Sequence, residues 1–446
     1  MFEYIKEFAD LLKEKILKNN VHILSHYDTD GISSAAIISK TLNRLSKQFS
    51  LKILKQLTQK EIREIPENKL IIITDLGSNN IEELSKLKNE IFIIDHHEIK
   101  IRDLQKNIKI LNPHLFDEYE ELSSSELVYL VSKYISEENK DLSYLAILGM
   151  IGDTLERKIS KTREKIIRES NVKVKKGLLI YPSTRPLDKT LEYSLRPFIP
   201  GVTGNQKGSY ELLKEARIDK VGKNFKSLID LTDEEMKRLI TSVILRIQTK
   251  EKNFEYIGNL YLIKLFNKIE DARELSAIIN ACSRMGKPEI SLMLCLGNLN
   301  AKKKAERIYI KYRQHIISGL KYILETEKII GKNYVIINAK DKIKDTLIGT
   351  LISIISFSSF YREGTILIGM AYNEDKIKVS ARISGKNSET KNNLKEVIES
   401  VVELIGGDFG GHREAAGCII KKEDEKKFIE LIKKKLEYEV IKINSS

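Results

Sequence analysis

The chain has 446 residues, too many for one hydrophobic core, so two or three domains are expected. Its 76 Lys and Arg against 63 Asp and Glu leave a net charge of +13, which points to a polyanionic partner, nucleic acid before membrane surface. A hydrophobic content of 41% excludes global disorder, and no uncharged run reaches the roughly 20 residues that span a bilayer. Three widely spaced cysteines, Cys282, Cys295 and Cys418, exclude a disulfide framework and a thiolate metal site and fit a reducing, cytoplasmic compartment.

Residues 1–17 mix acidic, basic and apolar side chains as an amphipathic helix does, not as a signal peptide. Short, continuous apolar runs at 21–24, 70–74 and 91–94 read as strands buried on both faces. Helix-like stretches at 33–42, 81–87 and 122–134 separate or follow them, the last opened by the serines 123–125 as caps. This alternation predicts a parallel α/β sheet. Asp141 is placed to cap an apolar helix running toward Gly152 and Asp153. Proline and glycine cluster at 181–208, the mark of a structured loop or domain connection. Thr232 and Glu235 form a capping-box pattern at the head of a helix. Residues 301–328 read as a long polar helix, suited to a strut between domains. Strands recur at 334–338, 365–372 and 376–383, with helices at 393–404 and 423–436, a second α/β domain. The fold class is therefore α/β, with a parallel-sheet domain over 1–200, a helical intermediate segment over 201–328 and a smaller α/β domain over 329–446.

Four segments put acids and imidazoles at the ends of these elements. They are Ser25-His26-Tyr27-Asp28-Thr29-Asp30-Gly31, Thr74-Asp75-Leu76-Gly77-Ser78, Asp95-His96-His97 and Gly152-Asp153. One aspartate after a strand is ordinarily a turn or cap residue. Three consecutive strands ending this way share one sheet edge, the edge where open parallel sheets bind ligands. Carboxylate oxygen with imidazole nitrogen suits manganese or magnesium better than thiolate metals. A pair of such ions needs a bridging carboxylate, and it activates water and neutralises phosphate charge. A second dense segment, 406–417, carries Gly410 and Gly411 beside His412 and Arg413. Its glycines let backbone N–H groups approach an anion, and a helix start there would add its dipole. Arg382, with Ser380 two residues before it, lies on the strand at 376–383 and suits bidentate phosphate contact.

The DTDG, TDLGS, DHH and GD segments resemble the four signature motifs of the DHH phosphoesterase superfamily, in order and spacing, over roughly the first 160 residues. The resemblance implies a DHH catalytic domain and a DHH-associated C-terminal domain with the active site in the cleft between them. It implies two divalent metal ions, Mn2+ preferred and Mg2+ as the alternative. His26 and Asp28 would hold one, Asp75 would bridge, and Asp30, His96 and Asp153 would hold the other. His97 would face the substrate phosphate or the departing oxygen, and Asp95 would orient a histidine. Arg382, Gly410, Gly411 and His412 would bind a nucleotide phosphate or sugar.

Segments 182–186, 194–201 and 280–286 resemble archaeal RecJ-like nucleases, among them the exonuclease associated with the GINS replication complex. Arg185, Arg196 and Arg284 would there hold backbone phosphates. The expected activity is a two-metal exonuclease on single-stranded DNA or RNA that releases nucleoside monophosphates. The alternatives are a phosphodiesterase of short oligonucleotides or cyclic dinucleotides, and a non-catalytic scaffold.

Overall fold

A computed structural model describes residues 1–99, 105–194, 197, 199–247, 256–357, 360–385 and 393–444; the side chains of His412 and 438–444 lie outside the description. The chain forms two compact units, Met1–Tyr309 and Ile310–Ser446.

The first unit opens α1 (Phe2–Lys18), β1 (Val21–His26), α2 (Thr29–Arg44), β2 (Phe49–Leu54), α3 (Gln59–Arg63), β3 (Leu70–Thr74), α4 (Ile81–Leu84), β4 (Ile91–Ile94) and β5 (Ile108–Leu111). These five strands make one parallel sheet in the order β2-β1-β3-β4-β5. The continuous apolar runs have a simple cause. In β3, Leu70 and Ile72 enter the core on one face while Ile71 and Ile73 enter the core on the other; in β4, Phe92 and Ile94 face the first and Ile91 and Ile93 the second. Each such side chain, fully buried, contributes about 1.5–3 kcal/mol.

α5 (Ser124–Ile135), α6 (Ser143–Gly152) and α7 (Lys161–Glu169) follow. α6 is buried nearly all round, which explains its unbroken apolar sequence. Ser123 caps α5 in a full capping box with Glu126. Asp141 does not cap α6 as expected: the helix has no side-chain cap, and Arg44 draws the Asp141 carboxylate into a two-pronged ion pair at 2.7 and 2.8 Å.

The stretch from α7 to the second unit contains β6 (Lys173–Leu178), α8 (Leu187–Glu192), α9 (Gln206–Glu215), β7 (Lys220–Val221), β8 (Asn224–Phe225), α10 (Asp233–Ile247), β9 (Ile257–Leu265), β10 (Lys268–Asp271), α11 (Ala272–Arg284) and α12 (Pro288–Cys295). It is helical, but it also carries an antiparallel sheet in the order β10-β9-β6. The proline-rich loop at 181–208 holds the short α8. The Thr232–Glu235 capping box forms as expected. α13 (Leu299–Glu325) runs through the boundary: Ala305 is buried in the first unit's core, Ile316 and Ile323 in the second's.

The second unit has β11 (Ile329–Ile330), β12 (Tyr334–Asn338), α14 (Asp345–Ser356), β13 (Ile366–Asn373), β14 (Lys376–Ile383), α15 (Leu394–Ile405), β15 (Asp408–His412), β16 (Ala415–Lys421) and α16 (Glu425–Asn444). Its sheet runs β11-β12-β13-β14-β16-β15. α15 and α16 cover one face; α14 and the end of α13 cover the other.

Candidate metal centre

The order β2-β1-β3 puts a switch point between β1 and β3, where successive connections leave the sheet in opposite directions and open a crevice at the strands' carboxyl ends. Ser25 pairs with Thr74 at the end of that ladder, so His26 and Asp75 emerge side by side. Asp28 is the N-cap of α2 and accepts the Gly31 N–H at 3.0 Å. A Cβ on Gly31 would lie 2.3 Å from the His26 carbonyl oxygen, so only glycine lets the helix start this close under β1. Asp75 sits at φ +57, a left-handed conformation that aspartate tolerates better than most residues. Thr154, directly after Asp153, has φ +60, which a β-branched residue adopts only when its surroundings hold it there.

The side chains converge. Ligand atoms of His26, Asp28 and Asp75 lie within 4.8 Å of one another, as do those of Asp30, His96 and Asp153, and those of Asp75, His96 and His97. Asp75 belongs to two of these groups. His26 Nδ1 stands 2.9 Å from Asp28 Oδ2 and 3.3 Å from Asp75 Oδ2; His96 Nε2 stands 3.5 Å from both Asp75 Oδ1 and Asp153 Oδ2. Despite this crowding, His26 Nδ1, Asp75 Oδ2 and Asp153 Oδ2 are buried without a well-directed hydrogen bond among the described residues. Buried polar atoms are rarely left this way.

Burial, then the charges of Asp28 and Asp30, pushes the Asp75 carboxyl well above the ordinary carboxylate range. Asp153 is pushed the same way by burial and then by Asp30, Asp28 and Asp75. Burial lowers the His96 imidazole, keeping a nitrogen lone pair available. Burial would lower His26 too, but Asp28 and Asp75 raise it well above its ordinary value, so an ion there displaces a proton. A cluster of carboxylates with the neutral His96 imidazole and unspent lone pairs fits divalent cations, which remove the repulsion.

Two layers of partners hold these groups. Asp30 is fully buried and accepts the Ser124 and Ser125 N–H groups at 2.7 and 3.0 Å, at the amino end of α5. Ser124 Oγ donates to Asp75 Oδ1 at 3.1 Å. Asp95 accepts from the N–H groups of Ser78 and His96 and meets His97 Nδ1 at 2.7 Å. Burial alone would raise Asp95, but the His97 contact outweighs it and holds the carboxyl well below its usual range. His97 answers in kind: burial lowers it, the Asp95 bond and charge raise it further, and it ends at about 9. Sequence reasoning missed Ser124, Ser125 and Asn280, whose Oδ1 accepts the Thr29 N–H at 3.2 Å between the two aspartates of the first motif. Their signal was slight: a serine run readable as caps, and one asparagine in a segment noticed for its arginine.

The remaining candidates are not members of these ligand groups. Arg185 pairs with Glu274 at 2.5 Å. Arg284 ends α11. Arg196 lies outside the described residues. In the second unit, Ser380, Gly417 and Gly410 form one cross-strand row, and Arg382, Ala415 and His412 the next. Gly411 pairs with Ala416 in the row between and belongs to the opposite face. The glycine-rich segment is thus an antiparallel hairpin and not the helix start expected from sequence; two flanking residues, Arg413 and Glu414, make its turn. The His412 side chain lies outside the description.

Three family models match the chain: the DHH family N-terminal domain over residues 20–152, the DHH-CID domain over 180–260 and the DHHA1 domain over 331–437. The uncharacterized protein MJ0831 of Methanocaldococcus jannaschii is 30% identical over 97% of this chain and 98% of its own length. The chain belongs to the DHH family. As a member it is a hydrolase. Its fold matches that of an exonuclease RecJ solved with manganese (TM-score 0.60, 16% identity, 96% of this chain and 93% of that one). It also matches CDC45 from Entamoeba histolytica (TM-score 0.68, 13% identity, 97% and 99%). Among the described residues no helix is long and apolar enough to cross a membrane.

Proposed function

We propose that this DHH hydrolase is a metal-dependent exonuclease that cleaves phosphodiester bonds of single-stranded DNA or RNA and releases nucleoside monophosphates. The observation that carries this reading is the pair of three-residue ligand groups, one with His26 and Asp28 and one with Asp30, His96 and Asp153, flanking the buried Asp75. We assign His26 and Asp28 to one divalent ion, Asp30, His96 and Asp153 to a second, and Asp75 to both, with Mn2+ ahead of Mg2+. Such ions lower the pKa of water, polarise the phosphoryl group and neutralise its charge. The RecJ structure with manganese supports the choice of metal and of exonuclease chemistry by its shared fold.

The chain's own residues supply the rest. His97, raised to about 9, carries its proton at neutral pH. With Nδ1 committed to Asp95, its Nε2 N–H is the donor left for a phosphate oxygen or the departing oxygen. Arg382, Ser380, Gly410, Gly411 and His412 are assigned to a nucleotide phosphate or sugar, and Arg185, Arg196 and Arg284 to backbone phosphates. The net charge of +13 favours a polyanion and predicts binding that weakens steeply with salt. Three free, buried cysteines fit a cytoplasmic setting. Work in replication, repair or RNA degradation is proposed with this activity, and replication proteins such as GINS as partners; the whole-chain likeness to CDC45 supports that as a likeness of fold.

The test uses purified protein, Mn2+ and single-stranded DNA and RNA labelled at either end. Mononucleotides should accumulate from one end, and Asp75→Ala should abolish the release. Absence of mononucleotides from both ends on both polymers would sink the exonuclease reading. Turnover confined to dinucleotides or cyclic dinucleotides would move the protein to the small-substrate alternative.

A further inference from the structure

Arg163, in α7, is 1% exposed at its side chain and is among the bulkiest fully buried residues of the chain. It lies outside all four motifs of the site, one helix after Asp153, with no ligand role of its own. A guanidinium has five N–H donors. Here each has an acceptor. Nε donates to Glu126 Oε1 at 2.8 Å; Nη2 donates to Glu126 Oε2 at 2.9 Å and to the Glu121 carbonyl at 2.7 Å. Nη1 donates to the Leu155 carbonyl at 3.2 Å and to the Lys158 carbonyl.

Both sets of partners lead to the metal centre. Glu126 closes the capping box on Ser123, with Oε2 accepting the Ser123 N–H at 2.8 Å. That fixes the amino end of α5. The next two amides hold both oxygens of Asp30, and the Ser124 hydroxyl holds Asp75. On the other side, Leu155 and Lys158 bound the turn that begins at the left-handed Thr154 and follows Asp153. One buried cation therefore ties together the backbone segments behind three carboxylates that come from different elements.

We infer that Arg163, through Glu126, is a positioning residue of the metal centre: it sets the amino end of α5 against the turn after Asp153 and so fixes the spacing of Asp30, Asp75 and Asp153. This rests on the metal-centre reading above. Two features favour positioning over mere packing. The guanidinium is fully committed, which a lysine ammonium could not reproduce. Its bonds go to the ends and turns that present the carboxylates, not to the middles of helices.

The experiment measures Mn2+ binding directly, by titration calorimetry and by the EPR signal of free Mn2+, alongside kcat and KM. Arg163→Lys keeps a buried positive charge next to Glu126. It should leave the far-UV circular dichroism unchanged and weaken Mn2+ binding by about 10–100-fold, the usual loss when partners behind metal ligands are removed. kcat at saturating oligonucleotide should fall while KM holds. Glu126→Leu with Arg163→Met removes both charges and leaves neither unpaired, so the double variant should fold and still bind Mn2+ as weakly. Wild-type Mn2+ affinity in Arg163→Lys or in the folded double variant would overturn the inference. A wild-type protein that takes up no Mn2+ at all would instead overturn the metal-centre reading, and the inference with it.

Discussion

His97 turns its Nδ1 to Asp95 Oδ1 at 2.7 Å, and the same oxygen accepts the His96 N–H at 2.8 Å. One residue of the Asp-His-His triplet thus aims the other two. Asp95→Asn keeps the shape and removes the charge. His97 should then lose its proton at neutral pH, because burial alone lowers it. The expected result is a fall in kcat of about 10–100-fold at saturating Mn2+. NMR titration of the His97 ring should show its pKa dropping from about 9.

Metal uptake should stabilise the fold and release protons. A ligand at a hundredfold its dissociation constant adds about 2.7 kcal/mol. Mn2+ should raise the melting temperature of the wild type, EDTA should reverse the rise, and Asp75→Ala should show little of it. Asp75 and Asp153 are held above the ordinary carboxylate range by burial and by the charges of Asp28 and Asp30, so some of the sites bind protons that the cation must displace. Calorimetry in buffers of different ionisation enthalpy should detect that release, and more of it at lower pH.

Gly149 faces the back of Asp30. A Cβ there would lie 2.0 Å from Ser125 Oγ and 2.4 Å from Asp30 Oδ1. Gly149→Ala should cost about 1–3 kcal/mol in urea unfolding by overpacking. It should also reduce Mn2+ affinity, whereas alanine at Gly201, where nothing lies within 4 Å, should leave Mn2+ affinity alone.

Glu274, which is in none of the ligand groups, gives the chain a further pH dependence. Burial pushes its carboxyl up to about 7; Arg185 opposes this, and Asp271 adds to it. Between the ordinary value near 4.5 and 7 the folded state therefore holds a proton that the unfolded chain has released. Stability falls as pH rises through that window, by about 3 kcal/mol over its full width. Urea midpoints for wild type and Glu274→Gln should diverge between pH 5 and 8, the wild type losing more. Equal slopes would show that the carboxylate ionises without cost.

Much of the frame was legible in the sequence. Leu70–Thr74, Ile91–Ile94 and Tyr334–Asn338 are strands with the bounds their apolar runs indicate, and the alternating Lys376–Ile383 is a strand with the bounds expected of it. A strand buried on both faces leaves a continuous signal. β2 and β5 were not seen: they are sheet edges, where alternating or short runs resemble loops and helices. The hairpin of β15 and β16 was misread as a helix start because glycine permits either, and only its partners on β14 decide between them.

The sequence by itself determined the chemistry on offer: aspartates and histidines just past three apolar strands and one apolar helix, each motif a local run of a few residues. Tertiary structure decided what holds those groups in place. Asp30 is bonded to amides more than ninety residues away, Asp75 to the hydroxyl of Ser124, Thr29 to Asn280, and Arg163 closes the frame behind them. Such bonds depend on which helix end or turn the packing delivers to a given carboxylate. No periodicity or spacing records that, because the residues involved look locally like ordinary caps, turns and surface charges.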